Sequence, residues 1–234
     1  MGTLILVRHA STELNRPGNE ERLRAWLDIP LNDAGLEEAL DAAIRVAKYD
    51  IGRIYTSDLR RAVQTAGLVS ALTGAPTVAT ASLRPWNLGS LGGQKIRDIL
   101  RHLDQLKAHP RMKAPGGESF SEFYLRYSAG LRALARVAAR SSKPIVVITH
   151  VRNFLATPVI LAGAKMEEVP VRGGPATGSI LLLEKNGRGW KIKRQNGNGA
   201  NNGKHQGRNH NGKLLTLTRS NGGKGLPIDS EPIQ

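Results

Sequence analysis

Residues 4–15 read Leu4-Ile5-Leu6-Val7-Arg8-His9-Ala10-Ser11-Thr12-Glu13-Leu14-Asn15. A second apolar run, Ile145-Val146-Val147-Ile148, ends in Thr149-His150. Short, unbroken apolar runs of this kind fit strands covered on both faces, as in parallel sheets. Ligand sites in open α/β sheets lie just outside the carboxyl ends of the strands. Each run therefore delivers a histidine to the place where such a sheet binds its ligand, and His9 has an arginine beside it. The pairing points to a site that handles an anion.

Working outward, Asn32 or Asp33 can cap a helix whose apolar positions Leu36, Ala39, Leu40, Ala43, Ile44 and Ala47 follow helical spacing. A short strand around Arg53-Ile54-Tyr55 comes next. Ser57 or Asp58 then caps a helix through Ala62, Ala66, Val69 and Leu72, which Gly74 stops. Ser119 and Glu122 have capping-box spacing ahead of Tyr127, Leu131, Leu134 and Val137. After the Ile145–Ile148 strand, a short helix is interrupted near Pro158, and Ser179–Leu183 forms a further strand. Strands alternating with helices predict a three-layer α/β/α sandwich with a mostly parallel central sheet.

Composition divides the chain into a domain over residues 1–185 and a basic Asn/Gly-rich low-complexity tail over residues 186–234. From about Asn186 to Gly225 the only apolar cluster is Leu214-Leu215-Thr216-Leu217, too little apolar surface to offset the ordering entropy, so the tail is expected to be mostly disordered, with a short strand at Leu214–Thr218 as the one candidate element. Of the net charge of +15, residues 191–234 supply +6, with eight Lys/Arg against Asp229 and Glu231. The remaining +9 belongs to residues 1–190, all but Arg188 of it in the domain, and a generally basic domain suits anionic partners of any size. The tail histidines His205 and His210 fit no strong metal template, and no aromatic residue accompanies them for base stacking. Nucleic acid is therefore not the expected partner, and the tail is its only candidate site. With no cysteine, no secretory leader pattern and no apolar run near the roughly 20 residues that cross a membrane, a cytoplasmic location is expected, with no membrane association.

Arg8 supplies a planar fork of donors that matches phosphate oxygens, and a neutral His9 imidazole can attack phosphorus. Thr56-Ser57-Asp58-Leu59-Arg60-Arg61-Ala62-Val63-Gln64-Thr65-Ala66 runs from a strand into a helix start carrying two arginines. There the helix dipole and the arginines act together on a bound anion.

These blocks, with Asp28-Ile29-Pro30-Leu31-Asn32-Asp33-Ala34-Gly35, occur in the order found in the histidine phosphatase superfamily, also called phosphoglycerate-mutase-like. The chain resembles that family from residue 4 to about residue 184. The resemblance implies that His9 becomes the phosphohistidine, that Arg8, Arg61 and His150 complete the phosphate pocket, and that Thr12 and Asn15 line the substrate site. It also implies no metal and no cofactor, since arginines and a histidine can supply the charge that phosphoryl transfer requires.

The chain departs from the family pattern at three places. Ala10 and Val151 stand where glycine is usual, which the backbone tolerates if it does not need positive φ there. More consequentially, Leu83–Gly93 contains no carboxylate, although the family often places a glutamate proton donor there. Glu118 is the nearest candidate donor, but a helix N-terminus favours its charged form and works against acid duty. Asp58 and Glu13 stay open as alternatives.

The expected function is hydrolysis of a small phosphorylated metabolite through a phosphohistidine. A phosphoglycerate-type phosphomutase is one alternative, disfavoured by the short segment between Gly93 and Pro115. A catalytically weakened phosphate-binding or scaffold protein is the other. Substrate identity and oligomeric state do not follow from the sequence.

Overall fold

In the computed structural model, which describes residues 2–15, 20–187 and 189–196, six strands and five α-helices follow one another. They are β1 (Thr3–Arg8), α1 (Asp33–Val46), β2 (Arg53–Ser57), α2 (Arg60–Thr73), β3 (Thr77–Thr80), α3 (Ile96–Ala108), α4 (Phe120–Arg140), β4 (Ile145–Thr149), α5 (Val151–Ala162), β5 (Ile180–Asn186) and β6 (Gly189–Asn196). The sheet order is β3-β2-β4-β1-β5-β6. The first four strands in that order are mutually parallel, and β5 and β6 are antiparallel additions.

Alternation along β1 and β4 divides the core. Leu4, Leu6, Ile145 and Val147 face a layer that includes α4 and α5, centred on Phe120, Phe123, Tyr127 and Leu131. Ile5, Val7, Val146 and Ile148 face α1 and α2. The result is the expected three-layer sandwich, because a strand two layers deep needs apolar residues at every position.

Several local expectations change. On α1 the buried face is Gly35, Ala39, Ala42, Ala43 and Val46, whereas Leu36, Leu40 and Ile44 are 45%, 44% and 52% exposed. Small residues let the helix approach the sheet closely, and the leucines ride on its flank. The first backbone N–H of α2 is capped neither by Ser57 nor by Asp58, but by the remote Asp28, whose Oδ1 accepts from Arg60 N at 2.7 Å. Pro158 does not interrupt α5, which runs from Val151 to Ala162 through it. The Asn32 cap, the Ser119–Glu122 capping box and the left-handed Gly74 stop are all present. The region between Gly93 and Pro115, left unassigned by periodicity, carries α3, and β3 is likewise added.

The domain's ordered part extends past residue 185, which corrects the expected onset of the tail. Trp190 and Ile192 alternate on β6, and both pack against the α4/α5 side of the core. Two apolar side chains on one face suffice for an edge strand that has a partner to pair with. Residues 197–234, including Leu214–Thr218, His205 and His210, lie outside the described residues. Among the described residues, no helix is long and apolar enough to cross a membrane.

Candidate active site

The register of the parallel β1–β4 pair sets Arg8 opposite Thr149, so the next residue of each strand comes side by side. His9 N donates to Thr149 O at 2.8 Å, and the His9 and His150 rings sit 5.0 Å apart, inclined by 57°. Both are buried. His9 Nδ1 lies 2.8 Å from the carbonyl oxygen of Ala10, which can only accept. The ring hydrogen therefore resides on Nδ1, leaving Nε2 with a free lone pair.

Arg8 donates through Nη1 to Pro175 O. Arg61, in the first turn of α2, donates to Leu27 O at 2.7 Å and Ala25 O at 2.9 Å. Its neighbour Arg60 is exposed, so of the two arginines only Arg61 enters the core. Grasping the 25–27 segment in this way accompanies a left-handed Ala25, φ 38°, the only non-glycine at positive φ among the described residues. Ala10 and Val151 thus occupy ordinary backbone and need no glycine.

The same segment brings in a residue that the motifs had not singled out. Arg24 is buried, donating to Leu14 O at 3.1 Å and to Glu21 at 2.9 Å. Its signal in the sequence was only a third arginine-bearing loop, with nothing periodic to say which way the side chain pointed. Thr12 and Asn15 form the adjoining turn: Asn15 Oδ1 accepts from Thr12 N at 3.1 Å and from Thr12 Oγ1 at 2.9 Å.

Electrostatically, the pocket is a set of buried cations and neutral imidazoles. Burial, then the charges of Arg61 and its neighbours, holds His9 and His150 well below the usual histidine range. Burial and the surrounding arginines push Arg8 and Arg61 down to about 9. Among the described residues, four of the seven buried side-chain polar atoms without a partner belong here: Arg8 Nε, Arg61 Nε and both His150 ring nitrogens. Buried donors are normally satisfied, so a cluster of orphans marks a place for a ligand with several acceptor oxygens.

The segment expected to hold a proton donor borders this pocket. Thr149 Oγ1 donates to Leu83 O at 3.2 Å, and Asn153 Nδ2 to Leu83 O and Arg84 O at 3.0 and 3.2 Å. Residues on both sides of His150 thereby anchor Leu83-Arg84. Trp26 Nε1 then donates to Pro85 O at 2.8 Å. Arg84 and Arg126 lie over the Trp26 indole, 4.6 and 5.6 Å from its centre.

Glu118 belongs to this frame. Its carboxylate accepts from Arg126 at 2.6 and 3.2 Å and from Asn87 N at 2.9 Å. Asp58 is bridged to Arg84 by two bonds of 2.7 Å, which lower its pKa. Two glycines hold the surrounding loops close. A Cβ at Gly35 would meet Ser11 O at 2.0 Å, and one at Gly89, where φ is 46°, would meet Pro115 O at 2.1 Å. Among the described residues no three His, Cys, Asp or Glu side chains cluster as a metal-ion site would require.

Fold and pocket define an α/β protein with a buried, cationic, two-histidine cleft at the ends of its parallel strands. The chain belongs to the histidine phosphatase superfamily (branch 1), whose family model matches residues 4–198. It is 31% identical over 201 residues to a glucosyl-3-phosphoglycerate phosphatase of Mycolicibacterium vanbaalenii, covering 77% of this chain and 83% of that one. It is 32% identical over 155 residues to phosphoglycerate mutase-like protein 4 of Arabidopsis thaliana, covering 63% of this chain and 65% of that one. Among solved structures, a mycobacterial glucosyl-3-phosphoglycerate phosphatase complexed with VO3 superimposes with a TM-score of 0.70 at 25% identity, covering 82% of this chain and 98% of that one. Family membership makes the protein a phosphohydrolase or a phosphomutase of the histidine phosphatase type.

Proposed function

We propose that the protein is a metal-independent phosphohydrolase for a small phosphorylated metabolite and that His9 forms the phosphohistidine intermediate. The observation that carries this reading is the Nδ1 contact of His9 with the Ala10 carbonyl. It fixes the tautomer whose free lone pair is on Nε2, the atom that must reach phosphorus.

Arg8 and Arg61 bind the phosphoryl oxygens through nitrogen atoms left without a protein partner, and His150 donates to the same group once a bound anion favours its protonated form. Spreading the phosphoryl charge over fixed cations is the main demand of the transfer step. His9 Nε2 forms the N–P bond as the leaving oxygen takes the P–O electron pair. Water then attacks phosphorus, releasing His9 and inorganic phosphate.

Thr12 and Asn15 shape the substrate side through their shared turn, and Arg24 adds positive charge beside them. Glu118, fully engaged by Arg126 and Asn87, is assigned to positioning the 83–88 loop and not to proton donation. Hydrolysis is favoured over mutase action because the phosphatase relative aligns along 83% of its length, the mutase-like one along 65%.

Phosphate release from a panel of phosphomonoesters tests the reading. Release abolished by His9→Ala supports it. Isomerisation of phosphoglycerate primed by a bisphosphate, without net release, would replace it with the mutase. Phosphate binding without turnover would replace it with a binding protein.

A further inference from the structure

The 83–87 segment stands against the residues flanking His150, where a leaving group would depart, yet Leu83-Arg84-Pro85-Trp86-Asn87 offers no side-chain acid. Carboxylates that reach the surrounding frame are committed elsewhere. Asp58 is held by Arg84 and Glu118 by Arg126. Glu21 is held by Arg24. Glu38 accepts from the N–H and the hydroxyl of Ser11. Each of these carboxylates is already held by a cation or by N–H and O–H donors of the frame, and for Asp58 the contact also lowers its pKa. Meanwhile Arg8 and Arg61 bond to backbone carbonyls, which neutralise no charge, so the pocket's field favours negative charge on whatever departs.

We infer that this site takes phosphoryl donors whose leaving oxygen departs as a stabilised anion, such as an aryl or enol phosphate or a mixed phosphoric anhydride, in preference to alkyl esters. The inference rests on the phosphohistidine reading and narrows its substrate class. In the transfer, His9 Nε2 forms the N–P bond and the P–O bond breaks with its electron pair on the leaving oxygen. No proton is supplied in that step. An aryl oxide or enolate later takes one from solvent, and a carboxylate or phosphate needs none. Water hydrolyses the phosphohistidine and yields its proton to solvent. An alkoxide is too basic to leave this way, since general acid catalysis is typically worth 10²–10⁴-fold. In this respect the chain differs from its glucosyl-3-phosphoglycerate phosphatase relative, whose named substrate is an alkyl ester.

The test is single-turnover phosphorylation of His9 in the full-length protein, using phenyl phosphates with graded ring substituents. These keep the donor's shape while varying leaving-group acidity. Phosphoenolpyruvate, acetyl phosphate, 3-phosphoglycerate and glycerol phosphate extend the range. The expected result is a steep rise in rate with leaving-group acidity, with both alkyl esters slower than nitrophenyl phosphate by about 10²-fold or more. A flat profile, with alkyl esters within about tenfold of the aryl esters, would overturn the inference while leaving the phosphohistidine reading intact. The same flattening confined to wild type and lost in Glu13→Gln would overturn it too, by identifying the exposed Glu13 as the acid. No label on His9 from any donor would overturn the underlying reading and this inference with it.

Discussion

The imidazoles of His9 and His150 lie 5.0 Å apart because β1 and β4 run parallel with Arg8 opposite Thr149. A one-residue slip would turn one histidine to the opposite face of the sheet. Both rings are buried among arginines and held in their neutral forms.

That arrangement buries mutually repelling cationic groups together, and a bound oxyanion should relieve their repulsion. Phosphate or vanadate at 100 times its Kd should add about 2.7 kcal/mol. For a domain of this size that raises Tm by about 5–11 °C. Thermal shift with and without ligand checks this, with Arg61→Gln as the variant that loses most of the response. A wild-type Tm insensitive to saturating phosphate would contradict it.

The buried neutral histidines also predict a pH dependence. Their folded pKa values lie below the ordinary value near 6.5, so the unfolded chain binds more protons as pH falls through that value. Stability is then fully present above about pH 7 and declines toward about pH 5, by up to about 1.4 kcal/mol per pH unit for each ring. Urea midpoints across that window should fall in wild type, fall less in a His9→Gln, His150→Gln double variant, and flatten when phosphate is bound. Equal slopes in wild type and double variant would refute the assignment.

Gly35→Ala should destabilise, because its Cβ would meet Ser11 O at 2.0 Å, where the backbone of the loop after β1 must move. Overpacking of this kind costs about 1–3 kcal/mol. Gly67→Ala, whose Cβ enters open space on α2, should instead be neutral or gain up to about 1 kcal/mol in helix propensity. Denaturant midpoints of the two variants distinguish contact from composition.

Arg126 binds Ala81 O, Ser82 O, Arg84 O, Pro85 O and both oxygens of Glu118. Arg126→Leu should cost about 2–3 kcal/mol, the scale of losing hydrogen bonds to a charged group. Arg126→Lys should not rescue it, because an ammonium cannot reproduce the planar fork. Circular dichroism melts of both variants provide the comparison. Full rescue by lysine would mean that only charge matters there.

Much of this was legible in the chain because the deciding signals are short-range. The apolar runs ending in His9 and His150 gave the strands, Asn32 and Ser119 gave helix starts, and Gly74 gave a stop. What escaped depended on distant partners. Asp28 as the cap of α2 is invisible locally, since the bond spans 32 residues. The exposure of Leu36, Leu40 and Ile44 reflects a helix seated on its alanines, which apolar spacing cannot distinguish from one seated on its leucines. Arg24 enters the pocket because Arg61 bonds the carbonyls of Ala25 and Leu27, a tertiary relation. β6 was hidden by its Asn/Gly surroundings, although Trp190 and Ile192 carried the alternation.

The most direct test of the account is a rapid-quench experiment with radiolabelled nitrophenyl phosphate, followed by peptide mapping under alkaline conditions that preserve phosphohistidine. The account predicts an acid-labile label on the peptide containing His9, formed and lost at rates consistent with turnover, and absent in His9→Ala. Turnover undiminished in His9→Ala, or a label on another residue, would contradict it.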